Sequence, residues 1–382
     1  MRGFQLSSAL NDVASSAAIA FGVAFAVSLF LVLTRRWHLR FTGDVLVHLV
    51  QKAHRTPLPR IGGVAILGGF VFGLVHLVAV RALITAGSAM MLVVALLPVA
   101  VCGIVEDVSK CVGPRQRLFW MAVGALCLSG SGFLVLQRTD VPPIDVALAV
   151  APVAVLFTAF ACVGAANAFN IVDGLNGLLG GIALITLAAI IWVAASVGDR
   201  TVFSLAVLLA VSTLGWMVFN WPRAALFAGD GGAYTIGFLC GALLLMLAAR
   251  HSQVSPWFGI TAAALPVWET LYSIWRRARD GRSALEADQA HLHQLVRLRL
   301  HRVLLDRARR RPGGFGAVVE PPNGLCSPVL WALHACIVTA GVWCYDDTNA
   351  QLKLFVAFAL VYVLVRRALV PDSAPVALAE AH

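Results

Sequence analysis

Long stretches of this chain carry no charge, and their length limits what it can fold into. Residues 13–33, 87–105 and 146–169 contain no Asp, Glu, Lys or Arg, and a helix of about 20 apolar residues is what crosses the hydrocarbon of a bilayer. In that medium every backbone N–H and C=O must be paired inside the protein, so an apolar block of this length is confined to a helix. Composition agrees: 60% of the 382 residues are hydrophobic and 13% charged, where a soluble domain carries roughly 25% charged residues. The chain reads as an all-α, polytopic integral membrane protein with about eleven transmembrane helices. They are expected near residues 13–34, 62–80, 87–105, 118–136, 146–168, 177–196, 201–219, 231–249, 257–275, 327–345 and 352–370. No fixed-period repeat or linker divides the chain, so residues 1–382 are expected to form a single transmembrane domain. The first block is too long, and too poor in basic residues upstream, for a cleaved signal peptide.

Orientation follows from Lys and Arg, which are enriched in cytoplasmic loops. About 23 of the 29 fall on one side, in loops 35–61, 106–117, 220–231 and 276–326 and at Arg366 and Arg367. This places the N-terminus outside, the C-terminus in the cytoplasm and the 167–177 turn on the cytoplasmic side. The net charge of +10 is mostly this asymmetry. It suits anionic lipid heads and phosphorylated substrates, and nothing in it favours nucleic acid. The eight cysteines are scattered without a CxxC pair, which leaves them as small hydrophobes.

The polar residues gather in clusters on that same inner side. The first, before the second span, holds Lys52, His54, Arg55 and Arg60, with Pro57 and Pro59 keeping the chain extended; it reads as a basic anchor or as a substrate-contacting segment. Glu106 and Asp107 close the third span, against the negative end of the helix dipole. They are either a solvated helix end or a pair offset by a cation, such as a metal, Lys110 or Arg115. Asn167, Asn170 and Asp173 recur every third residue at the end of the fifth span, before Gly174, Leu175, Asn176 and Gly177. Such groups glue helices together or serve a site. Asp230, flanked by Gly229 and Gly231 at the head of the eighth span, is a helix cap, or a metal ligand beside backbone amides bared for phosphate. The long inner loop carries Arg276, Arg277 and then His291 and His293. An amphipathic helix follows, and two histidines at that spacing face one ligand only at an extended helix start. Glu269, the one clear acid within a span, is a functional candidate.

In this order and on this side, the clusters resemble the polyprenyl-phosphate N-acetylhexosamine-1-phosphate transferases. The specific stretches are Asn167-Ala-Phe-Asn170-Ile-Val-Asp173-Gly174 and Phe227-Ala-Gly-Asp230. The segments Thr56 to Gly63 and His291-Leu-His293 look like the bacterial surface-polysaccharide branch more than the phospho-MurNAc-pentapeptide branch of peptidoglycan synthesis. The resemblance implies transfer of a sugar-1-phosphate from a UDP-sugar to undecaprenyl phosphate, with UMP leaving, at the bacterial inner membrane. It implies Glu106, Asp107, Asp173, His291 and His293 as catalytic residues, the histidines and nearby arginines steadying negative charge. Asp230 and Asn170 would hold magnesium, with manganese as the alternative. Phe227 would lie under the uracil ring. Substrate contacts would come from Lys52, His54, Arg55, Arg60, Asn167, Gly174, Leu175, Asn176, Arg276 and Arg277. Three positions depart from the family's pattern: Glu106 and Asn176 stand where aspartates are usual, and Gln294 where a histidine is.

The bilayer and the two substrates are thus the expected partners, and a homodimer is compatible with the sequence. A secondary transporter is disfavoured, because the acids sit at the inner rim and no internal repeat is visible. The orientation has a direct test. In a background with the native cysteines replaced, a cysteine at Asp346 should react with an impermeant thiol probe added outside intact cells, and one at Ser283 should not. Outside labelling at Ser283 would invert the topology.

Overall fold

The computed structural model describes residues 6–43, 57–81, 83–283, 291–309 and 323–370. Its helices run in the order α1 (Leu6–Leu33), α2 (Arg35–Thr42), α3 (Gly62–Arg81), α4 (Ala86–Ser109), α5 (Pro114–Gly130), α6 (Pro142–Leu148), α7 (Ala151–Ile171) and α8 (Leu178–Val197). They continue as α9 (Arg200–Met217), α10 (Gly229–Arg250), α11 (Phe258–Ala262), α12 (Ala264–Arg279), α13 (Leu292–Arg309), α14 (Ser327–Trp343) and α15 (Thr348–Leu369). Among the described residues, extended pairing is limited to an isolated antiparallel bridge between Gly43 and Pro59. The chain is an all-α membrane protein, and eight of the described helices are long and apolar enough to cross a bilayer: α1, α3, α4, α7, α8, α9, α10 and α14.

The other three expected spans are helical as well, with differences. α5 has 17 residues and stops at Gly130, short of the expected 136. α15 has 22 residues but carries Lys353, Arg366 and Arg367. The span expected at 257–275 is divided at Ala263, whose φ of −113° and ψ of 27° leave the helical region. Pro266 has no N–H to give the carbonyl four residues back. That carbonyl, on Ala262, accepts instead from Thr186 Oγ1 at 2.9 Å, the kind of replacement that lets an interrupted helix persist at membrane depth. The block expected at 146–168 is also divided, α6 ending at Leu148 and α7 starting at Ala151 with Pro152 in its first turn.

α10 is the centre of the bundle. It packs on α3, α4, α7, α8, α9 and α11, and nearly every one of its residues is buried. Its sequence explains this, because small residues on several faces let neighbouring backbones approach closely. At the Gly229 end of α10 the approach reaches contact. A Cβ on Gly103 of α4 would strike the backbone of Gly231, and one on Gly63 of α3 would strike Gly232. Gly87, at the far end of α4, faces open space. Gly103→Ala should therefore cost about 1–3 kcal/mol by overpacking, read as a lower melting temperature of the detergent-solubilised protein. Gly87→Ala should not lower it. Equal melting of the two variants would refute the close contact.

Candidate active site

The Gly62 end of α3, the Ser109 end of α4, the Ile171 end of α7 and the Gly229 end of α10 converge, and one carboxylate fastens two of them together. Asp107, in the last turn and a half of α4, reaches the start of α10, where Oδ1 accepts the Asp230 N–H and Oδ2 the Gly231 N–H, each at 2.9 Å. The first amides of a helix lack intrahelical partners and sit at the positive end of its dipole, so an anion is stabilised there. Asp107 is 1% exposed. Gly229 makes the approach possible with a φ of +70°, and a Cβ there would run into the Asp107 carboxylate and the Arg60 carbonyl.

This geometry corrects three expectations. The charge of Asp107 is met by helix amides, while Lys110 Nζ donates to the Asp107 backbone carbonyl. Its acidic neighbour Glu106 accepts the Val112 N–H at 2.7 Å and closes the turn into α5. The α10 amides expected to hold phosphate are already occupied by Asp107. Asp230 does not cap α10 either, since the cap position is Ala228 and no side chain caps it.

Asp230 is instead held from the side. Arg117 Nη1 lies 2.6 Å from Oδ2 and Arg60 Nη2 lies 3.4 Å from Oδ1. Tyr234, one turn along α10, donates its hydroxyl to Asp230 Oδ2 at 3.4 Å and accepts from Asn170 Nδ2 at 3.1 Å. Among the described residues nothing donates a hydrogen bond to the Asn170 amide oxygen. Asn167 turns elsewhere, bonding the Val163 carbonyl of its own helix at 2.9 Å and lying 3.7 Å from Met121 Sδ on α5. Three residues fall short of a full helical turn by about 60°, and α7 ends at Ile171. The expected single face of Asn167, Asn170 and Asp173 therefore resolves into three directions.

Asp173 sits in the turn after α7, and among the described residues nothing hydrogen-bonds or pairs with its carboxylate. Burial pushes its pKa up to about 7, Arg60 pulling it down and Asp230 adding to the rise. Beside it, a Cβ on Gly174 would collide with the His293 ring. The rings of His293 and His291 stack with centroids 5.5 Å apart and planes 10° apart. His291 precedes α13, so the pair has the extended start that its spacing requires. Burial pushes the pKa of His293 down to about 4. It is neutral at neutral pH, so any steadying of negative charge by this ring would come from hydrogen bonding.

Residues 89–248 match glycosyl transferase family 4. The chain is 32% identical over 302 residues to a decaprenyl-phosphate N-acetylglucosaminephosphotransferase of Mycobacterium tuberculosis (strain H37Rv), covering 66% of this chain and 68% of that protein. It belongs to the polyprenyl-phosphate hexosamine-1-phosphate transferase family. A probable undecaprenyl-phosphate N-acetylglucosaminyl 1-phosphate transferase of Bacillus subtilis (strain 168) is 29% identical over 277 residues, 71% of this chain and 75% of that protein. The undecaprenyl-phosphate alpha-N-acetylglucosaminyl 1-phosphate transferase of Escherichia coli (strain K12) is 26% identical over 260 residues, 64% of this chain and 67% of that protein.

In this family member the remaining site residues take distinct places. Phe227 is partly exposed, its N–H bonded to the Pro59 carbonyl at 2.9 Å and its carbonyl to the Gly62 N–H at 2.8 Å. Leu175 is buried. Arg276 lies near Glu269 and Arg366, and Arg277 is buried in the same helix. Lys52, His54 and Arg55 lie outside the described residues. Two members of the site, Arg117 and Tyr234, were not singled out from the sequence. Tyr234 was within reach of the helical spacing of four from Asp230. Arg117 was not, because only the docking of α5 brings it to Asp230.

Asn176 is 3% exposed and faces the protein, contrary to its expected substrate contact. Its Nδ2 donates to the Pro222 carbonyl and its Oδ1 accepts from Asn323 Nδ2, both at 3.3 Å. Ser327 Oγ donates to its backbone carbonyl at 2.6 Å. Asn176→Asp restores the commoner residue but removes the donor and turns a carboxylate toward a carbonyl. It should destabilise by about 1–3 kcal/mol and bring no gain in turnover. Higher activity at unchanged melting temperature would contradict this role.

Proposed function

We propose that this protein transfers an N-acetylhexosamine-1-phosphate from a UDP-sugar to undecaprenyl phosphate, releasing UMP, at the cytoplasmic face of a bacterial inner membrane. The product would start a surface polysaccharide. The observation that supports it best is the Asp230 carboxylate between Arg60 and Arg117, with Asp173 nearby and without a hydrogen-bond partner for its carboxylate among the described residues, in a member of a family whose relatives are named as N-acetylglucosamine 1-phosphate transferases of polyprenyl phosphate. An oxygen of the lipid phosphate attacks the β-phosphorus of the donor, and the bond from that phosphorus to the UMP oxygen breaks. A phosphate monoester with a second pKa of about 6 is mostly dianionic at neutral pH, so the acceptor needs no strong base. That suits a site whose best-placed acid, Asp107, is committed to the fold. The work left to the protein is positioning and charge neutralisation. Arg60 and Arg117 would bind phosphate oxygens, Phe227 the base, and neutral His293 would donate or accept a hydrogen bond at the transferring group.

The donor set fits a divalent cation. Among the described residues no three His, Cys, Asp or Glu form a closed site, but magnesium needs only one or two carboxylates when substrate phosphates complete its shell. Asp230, and Asp173, whose carboxylate has no hydrogen-bond partner among the described residues, would supply those charges, and the Asn170 amide oxygen would add a neutral ligand. Bound there, magnesium would lower the repulsion between the diphosphate and the incoming phosphate.

Purified protein given undecaprenyl phosphate and a panel of UDP-sugars should release UMP and yield a lipid product heavier by one sugar phosphate. No UMP with any donor would defeat the proposal. Asp230→Asn should melt as a folded protein with kcat down about a hundredfold, a loss of about 3 kcal/mol of transition-state stabilisation. Raised magnesium should recover part of the rate. Activity within a few-fold of wild type at every magnesium concentration would remove Asp230 from the metal site.

A further inference from the structure

Among the described residues, the carboxylate of Glu269 makes no hydrogen bond to the acids and arginines around Asp230; its contacts run to His291, to the Leu292 N–H and to Tyr362. It lies on α12, 2% exposed. Its Oε1 accepts from His291 Nδ1 at 2.9 Å and from the Leu292 N–H at 3.3 Å. Its Oε2 accepts the hydroxyl of Tyr362 at 2.6 Å, and Tyr362 belongs to α15, outside the 89–248 family match. Ser273 Oγ, one turn along α12, stands 3.3 Å from the same His291 nitrogen. An ionised carboxylate only accepts, so Nδ1 must carry the proton. The tautomer and the ring plane of His291 are then fixed from one edge. On the other edge, Nε2 has no hydrogen-bond partner among the described residues, and the ring face stacks on His293, which rests on the Gly174 turn beside Asp173.

We infer that Glu269 and Tyr362 are positioning residues that hold His291 by its Nδ1–H and leave Nε2 as the atom presented to the transferring phosphate. The role of Nε2 rests on the proposed transfer; the grip on Nδ1 does not. Carboxylates that orient a functional histidine in this way change activity by about tenfold to a hundredfold when lost. The arrangement also gives the C-terminal helix a function. Tyr362 gives the second oxygen of a buried carboxylate its short hydrogen bond, and without it that oxygen keeps only the longer one from the Leu292 N–H at 3.4 Å, at a cost to the whole set.

A double-mutant cycle tests the claim, because residues acting through one group are non-additive. Glu269→Gln should lower kcat about tenfold to a hundredfold with the donor KM within a few-fold of wild type, and Tyr362→Phe should lower it less. In a His291→Ala background, Glu269→Gln should cost nothing further. Losses that multiply in that background, or a Glu269→Gln enzyme as active as wild type, would overturn the inference. The nitrogen-15 spectrum of ring-labelled histidine reads the grip directly, with detergent melting as the folding control. The His291 signal, assigned by its loss in His291→Gln, should show a protonated Nδ1 in wild type and Tyr362→Phe and change in Glu269→Gln. If wild type releases no UMP, the proposed reaction fails alone and the spectrum still decides the positioning. An unchanged His291 signal in Glu269→Gln would sink it.

Discussion

The site depends on one side chain reaching from the end of α4 to the head of α10. Both carboxylate oxygens of Asp107 take backbone amides of α10, which are the groups most in need of partners at a helix start. The amides lose their orphan status, the buried charge acquires the positive end of a helix dipole, and two transmembrane helices are locked in register. The lock needs close backbones. Gly229 bends past the carboxylate, and Gly103 lets α4 touch Gly231. The small residues of this end are thus the counterpart of the single buried acid.

Fixing the head of α10 fixes Asp230, which faces sideways into Arg60 and Arg117. Three acids with different tasks follow from three environments. Asp107 is sealed by amides, Asp230 is gripped by guanidinium groups from α5 and from the extended segment before α3, and half-buried Asp173, beside Gly174, has no hydrogen-bond partner for its carboxylate among the described residues. In the proposed reaction the last two face phosphate and metal, while the first keeps their frame in place. In that reaction neutral His293 would close the same space from α13, so positive charge would come from the arginines and the proposed cation and not from that imidazole.

Much of the architecture was legible in the sequence, because charge-free blocks about 20 residues long leave few alternatives to spanning helices. The breaks were less visible. Pro266 ends α11 only because Thr186 is placed to accept its consequence at the Ala262 carbonyl, and no local pattern announces Thr186. The site acids were found by their clustering, but their roles were not. A carboxylate at a helix end reads as solvated or metal-bound until a second helix, 123 residues along the chain, is docked on it. Asn176 shows the same limit, since its long-range hydrogen bonds with Pro222, Asn323 and Ser327 identify it as buried framework although its neighbours line the site.

The account separates an acid that holds from acids that act, and Asp107→Asn measures that separation. Asparagine offers one acceptor oxygen, and its amide group would face an N–H of α10, so at least one charge-assisted hydrogen bond is lost. Such bonds are worth about 1.5–3 kcal/mol each. Differential scanning of the detergent-solubilised variant should show a melting temperature several degrees below wild type, in proportion to that loss. A variant that melts with wild type and loses only turnover would mean that Asp107 serves the reaction and that α10 is held by something else.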